Sequence, residues 1–262
     1  MALPPIVPRP VDAPGAVAPA QRMTPLALLR GAVPLWLLTL MAAASLTFLL
    51  LPQVDLAVSG WFARGAEGFP LRFDPLIALV NDNVLKVSRI ASAVLLVLFV
   101  LGLLLPRGTW LGRNRRVLAY LFVALAIGPG LIVNTLMKEH SGRARPVQIE
   151  PFGGSRQFTP AFVIADQCER NCAFVSGHVA AATMPVAGYF VASTRRRRRL
   201  WLAGGVTLGL AVGLARLAVG AHFLSDVVVA MFITWIVCAL VAAAMLARPA
   251  AAPATDSREV GA

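Results

Sequence analysis

Six long runs of apolar residues constrain this chain more than any other feature of its sequence. They lie at roughly 31–51, 85–105, 117–137, 177–193, 200–220 and 226–247, and most approach the ~20 residues that a helix needs to cross a bilayer. Backbone groups in hydrocarbon must pair within a helix or a closed barrel, and continuous apolar runs favour helices over alternating barrel strands. The sequence therefore predicts an all-α polytopic membrane protein with six transmembrane helices.

The two ends of the chain differ from this apolar region. Residues 1–30 and 248–262 are rich in proline and alanine and have no apolar period, which is typical of disordered tails. We therefore expect one membrane domain over 31–247 between two disordered cytoplasmic tails. The fourth run is the shortest and contains Pro185, so a kink or an extension beyond the visible run is expected there.

Charge predicts the orientation of the six helices. Only 14% of the residues are charged and 58% are hydrophobic, which excludes an ordinary soluble domain. The net charge of +12 comes largely from arginines in the short loops at 107–116 and 195–199, so membrane orientation explains it better than nucleic-acid binding. The positive-inside rule makes both loops and both termini cytoplasmic, and the other loops periplasmic in a bacterial inner membrane.

Three polar clusters then fall on the periplasmic side, close to helix ends. The first lies in the stretch KEHSGRARP, which breaks the charge rule, and the others lie in FVSGH and ARLAVGAHFLSD. Their members are Lys138, Arg143 and Arg145; Ser176, Gly177 and His178; and Arg216, His222 and Asp226. Lys86 and Arg89, near the same end of the second run, also break the rule without an evident reason.

The residue types in these clusters suit phosphoryl transfer. Lysine and arginine bind phosphate, and two histidines can divide the nucleophilic and acid roles. Asp226 follows His222 by four residues and can orient its ring if the segment is helical. His140 fits no required role, the part of Arg143 is left open, and the histidines lack zinc-ligand spacing, so no metal or other cofactor is expected.

At these residues the chain resembles the type 2 phosphatidic acid phosphatase (PAP2) superfamily. The first signature of that family is complete, with Lys138, six residues, and then Arg145-Pro146. The second stands as Val175 followed by Ser-Gly-His, with valine in place of proline. The third stands as Ala215-Arg216, five residues, a histidine, three residues and an aspartate, with alanine in place of serine. Both departures spare the residues with a chemical role.

The resemblance implies a site and a mechanism. His222 would attack phosphorus and form a phosphohistidine, Asp226 would orient it, and His178 would protonate the leaving oxygen and then activate water. The phosphoryl oxygens would be held by a further set of residues, namely Lys138, Arg145, Ser176, Gly177 and Arg216.

A site at the membrane surface suits a lipid phosphate as the substrate. The loop from Pro52 and the stretch before His178 resemble a bacterial subgroup that includes lipid A phosphatases, so lipid A is the leading expectation. Undecaprenyl diphosphate, phosphatidylglycerol phosphate and phosphatidic acid stay open as alternatives. From another class, the chain could be a transporter or scaffold that keeps the pocket without catalysis, although both histidines and Asp226 are present.

Two cysteines, Cys168 and Cys172, precede the FVSGH motif. On the predicted topology they face an oxidising compartment and could close a small disulfide if the loop is not regular helix. Two free thiols are the alternative. Cys238 lies within an apolar run and is expected to be a packing residue.

Overall fold

The computed structural model describes residue 33 and residues 35–246. Every regular element in that part of the chain is helical, which confirms the predicted all-α class. The helices are α1 (Leu35–Leu50), α2 (Gln53–Gly60), α3 (Pro75–Leu104), α4 (Trp110–Leu125), α5 (Gly177–Thr183), α6 (Ala187–Val191), α7 (Arg195–Ala218) and α8 (Leu224–Leu246). Short 3₁₀ turns cover Gly65–Glu67, Pro70–Phe73, Pro146–Gln148, Glu150–Phe152 and Met184–Val186. The two predicted tails lie outside the described residues.

Four of the described helices are long and apolar enough to cross a membrane. They are α3, α7, α8 and the continuous segment Trp110–His140 that begins with α4, and they correspond to the second, fifth, sixth and third predicted runs. The pair α1 and α2 makes a fifth only if counted as one span, and it is bent by 85°. The predicted fourth run instead forms α5, a 3₁₀ turn at Pro185 and α6, so the interruption expected from the proline is present.

The helix that begins as α4 changes its winding halfway. Residues Ala126–Met137 continue it as a π-helix, and Lys138–His140 form its last turn. Pro129 lies inside this segment and lacks the N–H that α-helical pairing requires. Asn134 donates its side-chain N–H to the Pro129 carbonyl, five residues earlier, at 2.6 Å. Wider winding of this kind is frequent at functional sites.

Glycines let α7 approach its neighbours closely. Gly205, Gly209 and Gly213 recur every four residues on one face of α7. A methyl group at Gly205 or Gly209 would overlap residues of the segment 183–186, and one at Gly213 would overlap Val227 of α8. Small residues at this spacing bring membrane helices into backbone contact. The close packing fixes the end of α7, where Arg216 lies.

The connection between α7 and α8 is held by the loop 141–176. Gly220 adopts a left-handed φ of 64° and its carbonyl accepts a hydrogen bond from the Val147 N–H at 2.9 Å. A side chain at Gly220 would also overlap the Phe69 ring, so only glycine fits this position. Phe69 and Phe223 pack with Ile149 and Phe152 in a small apolar cluster. This cluster fixes the turn that carries His222.

Candidate active site

A cavity of about 540 Å³ brings residues of all three polar clusters together. Its wall includes Lys138 and Arg145 from the first cluster, His178 from the second and Arg216 from the third. Lys138 and Arg216 are largely buried, at 6% and 8% exposure. Burying cations without a carboxylate beside each one is costly. The arrangement is therefore suited to an anion that supplies the missing negative charge.

His222 lies behind the wall of this cavity, with its ring fully buried. Its Nδ1 lies 2.8 Å from the carbonyl oxygen of Ala173. A carbonyl can only accept a hydrogen bond, so in the neutral ring Nδ1 carries the proton and Nε2 keeps its lone pair. Nε2 has no hydrogen-bond partner among the described residues. The geometry thus leaves Nε2 available as a nucleophile.

The surroundings of His222 keep it neutral. Burial lowers the pKa of His222 well below its ordinary value, and the positive charges of Arg216, Lys138 and Arg145 lower that pKa further. The Ala173 carbonyl acts in the opposite direction, because it accepts a hydrogen bond from the ring. A neutral imidazole is the form that attacks phosphorus.

Arg143, whose contact with phosphate the sequence left open, does not line the cavity. It is 1% exposed, and its guanidinium donates to Asp226 at 2.6 Å and to Asp55 at 2.8 Å. It also donates to the Ser225 hydroxyl at 2.8 Å and to the Thr159 carbonyl at 2.9 Å. The Phe223 ring covers the guanidinium, with its centroid 4.2 Å from the guanidinium carbon. These partners engage four of the five N–H donors of Arg143. Arg143 is therefore a buried counter-ion that holds the turn behind His222.

Asp55 completes this buried ion cluster, and the sequence analysis did not select it. Asp55 lies on α2, is fully buried, and accepts hydrogen bonds from Arg143 and from both the N–H and the hydroxyl of Ser225. The cluster links α2, the loop after α4 and the start of α8. The sequence does contain a signal for Asp55. Placing an acidic residue among apolar residues near a membrane costs free energy, and such residues seldom lack a role.

Asp226 lies beside the His222 ring, but the Ala173 carbonyl is the nearer partner of that ring. Its Oδ2 lies 3.4 Å from Nδ1 of His222, farther than the Ala173 carbonyl. Its oxygens accept shorter hydrogen bonds from Arg143 at 2.6 Å and from the Phe223 N–H at 2.8 Å. The carbonyl therefore fixes the tautomer of His222, while Asp226 holds the turn and contributes negative charge beside the ring.

Cys168 and Cys172 form a disulfide in the structure. Asn171, between them, accepts a hydrogen bond from Lys138 on its side-chain oxygen at 2.9 Å and one from Arg145 on its carbonyl at 2.8 Å. The small loop that the disulfide closes thus holds Lys138 and Arg145 of the first cluster.

Ser176 and Gly177 begin α5, and neither lines the cavity. The Ser176 hydroxyl accepts a long hydrogen bond from the Val179 N–H at 3.4 Å, which caps the helix. Gly177 packs against the side chain of Asn134, where a methyl group would overlap the amide oxygen. Both residues thus position His178, which follows them directly.

The remaining expectations concern metals and single side chains. Within the described residues, no group of three or more histidine, cysteine, aspartate or glutamate side chains is arranged to hold a metal ion. His140 is exposed in the last turn of its helix, with Nδ1 2.7 Å from the Leu136 carbonyl, and it does not line the cavity. Cys238 is a free, buried thiol, as expected for a packing residue.

The chain resembles known proteins over most of its length. The model of the PAP2 superfamily matches residues 117–250. The chain belongs to the PAP2 superfamily. It is also 34% identical over 198 residues to a lipid A 4′-phosphatase of Francisella tularensis subsp. novicida, with 74% of this chain and 88% of that protein covered. A lipid A 4′-phosphatase of Rhizobium leguminosarum is 30% identical over 208 residues, covering 75% and 87% respectively. No solved structure matches the chain.

The segment matched by the PAP2 superfamily contains every residue of the three polar clusters. It also contains the two positions at which this chain departs from the PAP2 signatures, Val175 and Ala215. Val175 is fully buried in the apolar core beside Val179, so it serves packing. Asp55 and the cavity residues contributed by α3 lie outside the segment.

Proposed function

We propose that this PAP2 protein is a lipid A phosphatase that removes the 4′-phosphate through a phosphohistidine intermediate. The observation that carries the proposal is one cavity in which His178 meets Lys138, Arg145 and Arg216. Behind its wall, Nε2 of His222 has no hydrogen-bond partner among the described residues. The relatives are matched over most of their length, and their activity as lipid A 4′-phosphatases supports lipid A as the substrate.

In the first step, Nε2 of His222 attacks phosphorus and forms a P–N bond as the P–O bond to the sugar breaks. Protonated His178 donates its proton to the leaving oxygen. Lys138, Arg145 and Arg216 stabilise the charge on the phosphoryl oxygens, and a bound phosphate in turn favours the protonated form of His178. His222 is fully buried. The phosphate must therefore pass between the side chains of the cavity wall to reach Nε2 before the attack.

In the second step, His178 takes a proton from water, which attacks phosphorus and breaks the P–N bond. Inorganic phosphate leaves, and His222 returns to its neutral form. The Arg143 cluster and the Ala173 carbonyl keep the ring in one orientation through both steps. The site needs no metal in this scheme, because side-chain cations supply the positive charge.

The proposed topology has six crossings of the bacterial inner membrane, with cytoplasmic termini and a periplasmic site. The four long helices and the bent pair α1–α2 support five of the crossings. The sixth would be the broken segment from α5 to α6. The cysteine pair supports a periplasmic site, since a disulfide is stable in an oxidising compartment.

The proposal is tested by comparing the three histidines of the chain. Purified protein in detergent is given lipid A in the presence of a chelator, and phosphate release is located by fragmentation mass spectrometry. We expect His222→Ala and His178→Ala to lose at least about 1,000-fold in kcat/KM, since each removes a reacting group. His140→Ala, an exposed control, should stay within about twofold.

Three results would count against the proposal. Turnover by His222→Ala near the wild-type rate would remove the nucleophile from the mechanism. Release of phosphate from phosphatidic acid or undecaprenyl diphosphate, with lipid A unchanged, would leave a lipid phosphatase of different specificity. A wild-type protein that binds lipid A without releasing phosphate would favour the transporter or scaffold alternative.

A further inference from the structure

A stripe of polar residues on α3 lines the same cavity at some distance from the phosphate cluster. Ser88, Arg89 and Ser92 lie on its wall together with Leu85. These positions are three and four residues apart, so they share one face of the helix. The part of α3 before the stripe is also polar, with Asn-Asp-Asn at 81–83 and a lysine at 86, whereas residues 93–104 are entirely apolar. The stripe therefore extends the polar part of α3 to the border of its apolar half.

Arg89 is the charged residue of this stripe, so its position needs a physical explanation. Its guanidinium makes no hydrogen bond or ion pair with any described residue, whereas Arg143 and Arg145 both do. An unpaired arginine inside an apolar helix costs free energy, and such residues usually face a water-filled cavity or a substrate path. Arg89 broke the charge rule in the sequence, and its position on the cavity wall supplies a physical reason.

The stripe lies deeper along the helices than the phosphate cluster. Gly102 of α3 packs against Leu111 and Arg115, which sets the antiparallel register of α3 with α4. Counting back along α3 and forward along α4 from that contact places Arg89 near Ala126, another wall residue. Lys138 lies twelve residues beyond Ala126, which would span about 18 Å in an α-helix, and the wider winding of this segment makes the axial separation of the two cations shorter than that.

The direction of the Arg89 side chain brings its guanidinium closer to Lys138 than the helix positions alone would. Side chains on a helix tilt toward its N-terminus, and the N-terminal end of α3 lies toward Lys138 in this register. The guanidinium therefore reaches from the middle of the helix bundle toward the cluster. A lipid whose phosphate lies among the cations would bring the start of its acyl chains to the stripe.

We propose that Arg89 and Ser88 bind the carbonyl oxygens that join the acyl chains to the headgroup of the substrate lipid. The guanidinium has five N–H donors and the Ser88 hydroxyl has one, and none of them has a hydrogen-bond partner within residues 35–246. Ser92 differs, because its hydroxyl donates to the Ser88 carbonyl at 2.9 Å. Ester and amide carbonyls are acceptors that every acylated lipid phosphate carries and a soluble phosphate ester lacks.

This inference rests on the proposed lipid phosphatase function and extends it to the basis of selection. The cations of the cluster recognise phosphate of any origin. The α3 stripe would require acyl linkages at a fixed distance from that phosphate. The cavity would then select acylated lipids over soluble phosphate esters by a contact outside the reacting group.

The test compares Arg89→Gln with Lys86→Gln, which removes the same charge from an exposed position of α3 that does not line the cavity. Binding is measured in detergent micelles, in a His222→Ala background, for lipid A, phosphatidic acid and inorganic phosphate. Loss of a charged hydrogen bond predicts about tenfold weaker binding of both lipids to Arg89→Gln. Phosphate affinity should stay within about twofold, and Lys86→Gln should change none of the three.

Ser88→Ala provides a second variant that keeps the charge, and about threefold weaker lipid binding is expected from it. The inference is overturned if Arg89→Gln weakens phosphate and lipid binding equally, because Arg89 would then serve the phosphate itself. It is also overturned if lipid A binding falls and phosphatidic acid binding does not, which would indicate a second phosphate as the ligand. Unchanged lipid binding would overturn it as well. Phosphate release from lipid A by the wild type reports separately on the proposed function.

Discussion

Replacing Asp55 with asparagine tests whether the buried ion cluster holds the catalytic turn. The carboxylate accepts from Arg143 at 2.8 Å, from the Ser225 N–H at 2.9 Å and from the Ser225 hydroxyl. Asparagine has nearly the same shape and keeps one accepting oxygen. Its amide group would then face donors of Arg143, so the charge-assisted bond between α2 and the loop is lost.

The magnitude follows from the burial of both partners. Arg143 is 1% exposed and Asp55 is fully buried. Loss of a hydrogen bond to a charged group costs roughly 1.5–3 kcal/mol, and breaking a buried ion pair costs up to about 5 kcal/mol. Because Asp226 still pairs with Arg143, we expect a loss of about 2–4 kcal/mol in the free energy of unfolding. The apparent melting temperature should fall by about 5–10 °C.

The activity should fall more than stability alone explains. Asp226 becomes the remaining carboxylate partner of Arg143, so the turn that carries His222 shifts. Misplacement of a reacting group by about 1 Å costs on the order of 100-fold. We expect kcat/KM for lipid A to drop about 10- to 100-fold at a temperature where the variant is fully folded.

Asp82→Asn is the matched control, because Asp82 is exposed on α3 and the change is chemically the same. Melting is followed in detergent and phosphate release is measured on the same preparations. If Asp55→Asn keeps its melting temperature within about 1 °C and its kcat/KM within about twofold, the cluster does not hold the turn and the reasoning fails.

Three further predictions concern the same site. Because burial lowers the pKa of His222 below its unfolded value near 6.5, the unfolded chain gains a proton there first as pH falls. Stability should therefore decline as the pH falls below about 6.5, and the pH slope of the melting temperature should flatten in His222→Gln. The double variant Cys168→Ser/Cys172→Ser should raise KM for lipid A about 3- to 10-fold with a smaller change in kcat, because Asn171 between the cysteines holds Lys138 and Arg145. Wild-type protein in reductant should show the same increase in KM. An unchanged KM would show that this loop does not contribute to substrate binding. Gly177→Ala should lose at least about tenfold in kcat/KM, because the added methyl group would overlap the Asn134 side chain. The double variant Gly177→Ala/Asn134→Ala should recover part of that loss. An equal loss of kcat/KM in the single and double variants would show that the glycine is needed for a reason other than this overlap.

The convergence of the cavity residues could be anticipated from the sequence. Lys138, His178 and Arg216 each lie close to the end of an apolar run, and the lengths of the runs decide which ends share a side of the bundle. Chemistry then restricts what cations and histidines can do together. These inferences use short-range spacing and composition, which a sequence displays directly.

The partners of the buried charges could not be anticipated in the same way. Arg143 and Arg145 are two residues apart and look equivalent in the sequence, but one is enclosed by carboxylates and the other lines the cavity. Which way each points depends on how the loop after α4 packs on α2 and α8. That packing is a property of the folded chain, and Asp55 was missed for the same reason.

The number of membrane crossings was difficult to predict from the sequence for a different reason. Apolar composition indicates that a segment avoids water, but it does not show that its helix is continuous. Pro185 interrupts the fourth run, and Pro129 leaves the third run unbroken but with wider winding. The effect of a proline depends on its surroundings, and in the third run the Asn134 side chain donates to the Pro129 carbonyl where the helix continues.

The position of Asp55 bears on what counts as a complete catalytic unit. The stretch shared across the superfamily begins at residue 117, well after α2. A fragment trimmed to that stretch would retain every reacting group, yet it would carry Arg143 with one of its two counter-ions gone. During synthesis the order is favourable, because α2 precedes the arginine in the chain and its carboxylate is present when the arginine emerges. The stretch that carries the family motifs is therefore shorter than the stretch that the intact site requires. Engineered grafts of this site should begin no later than α2.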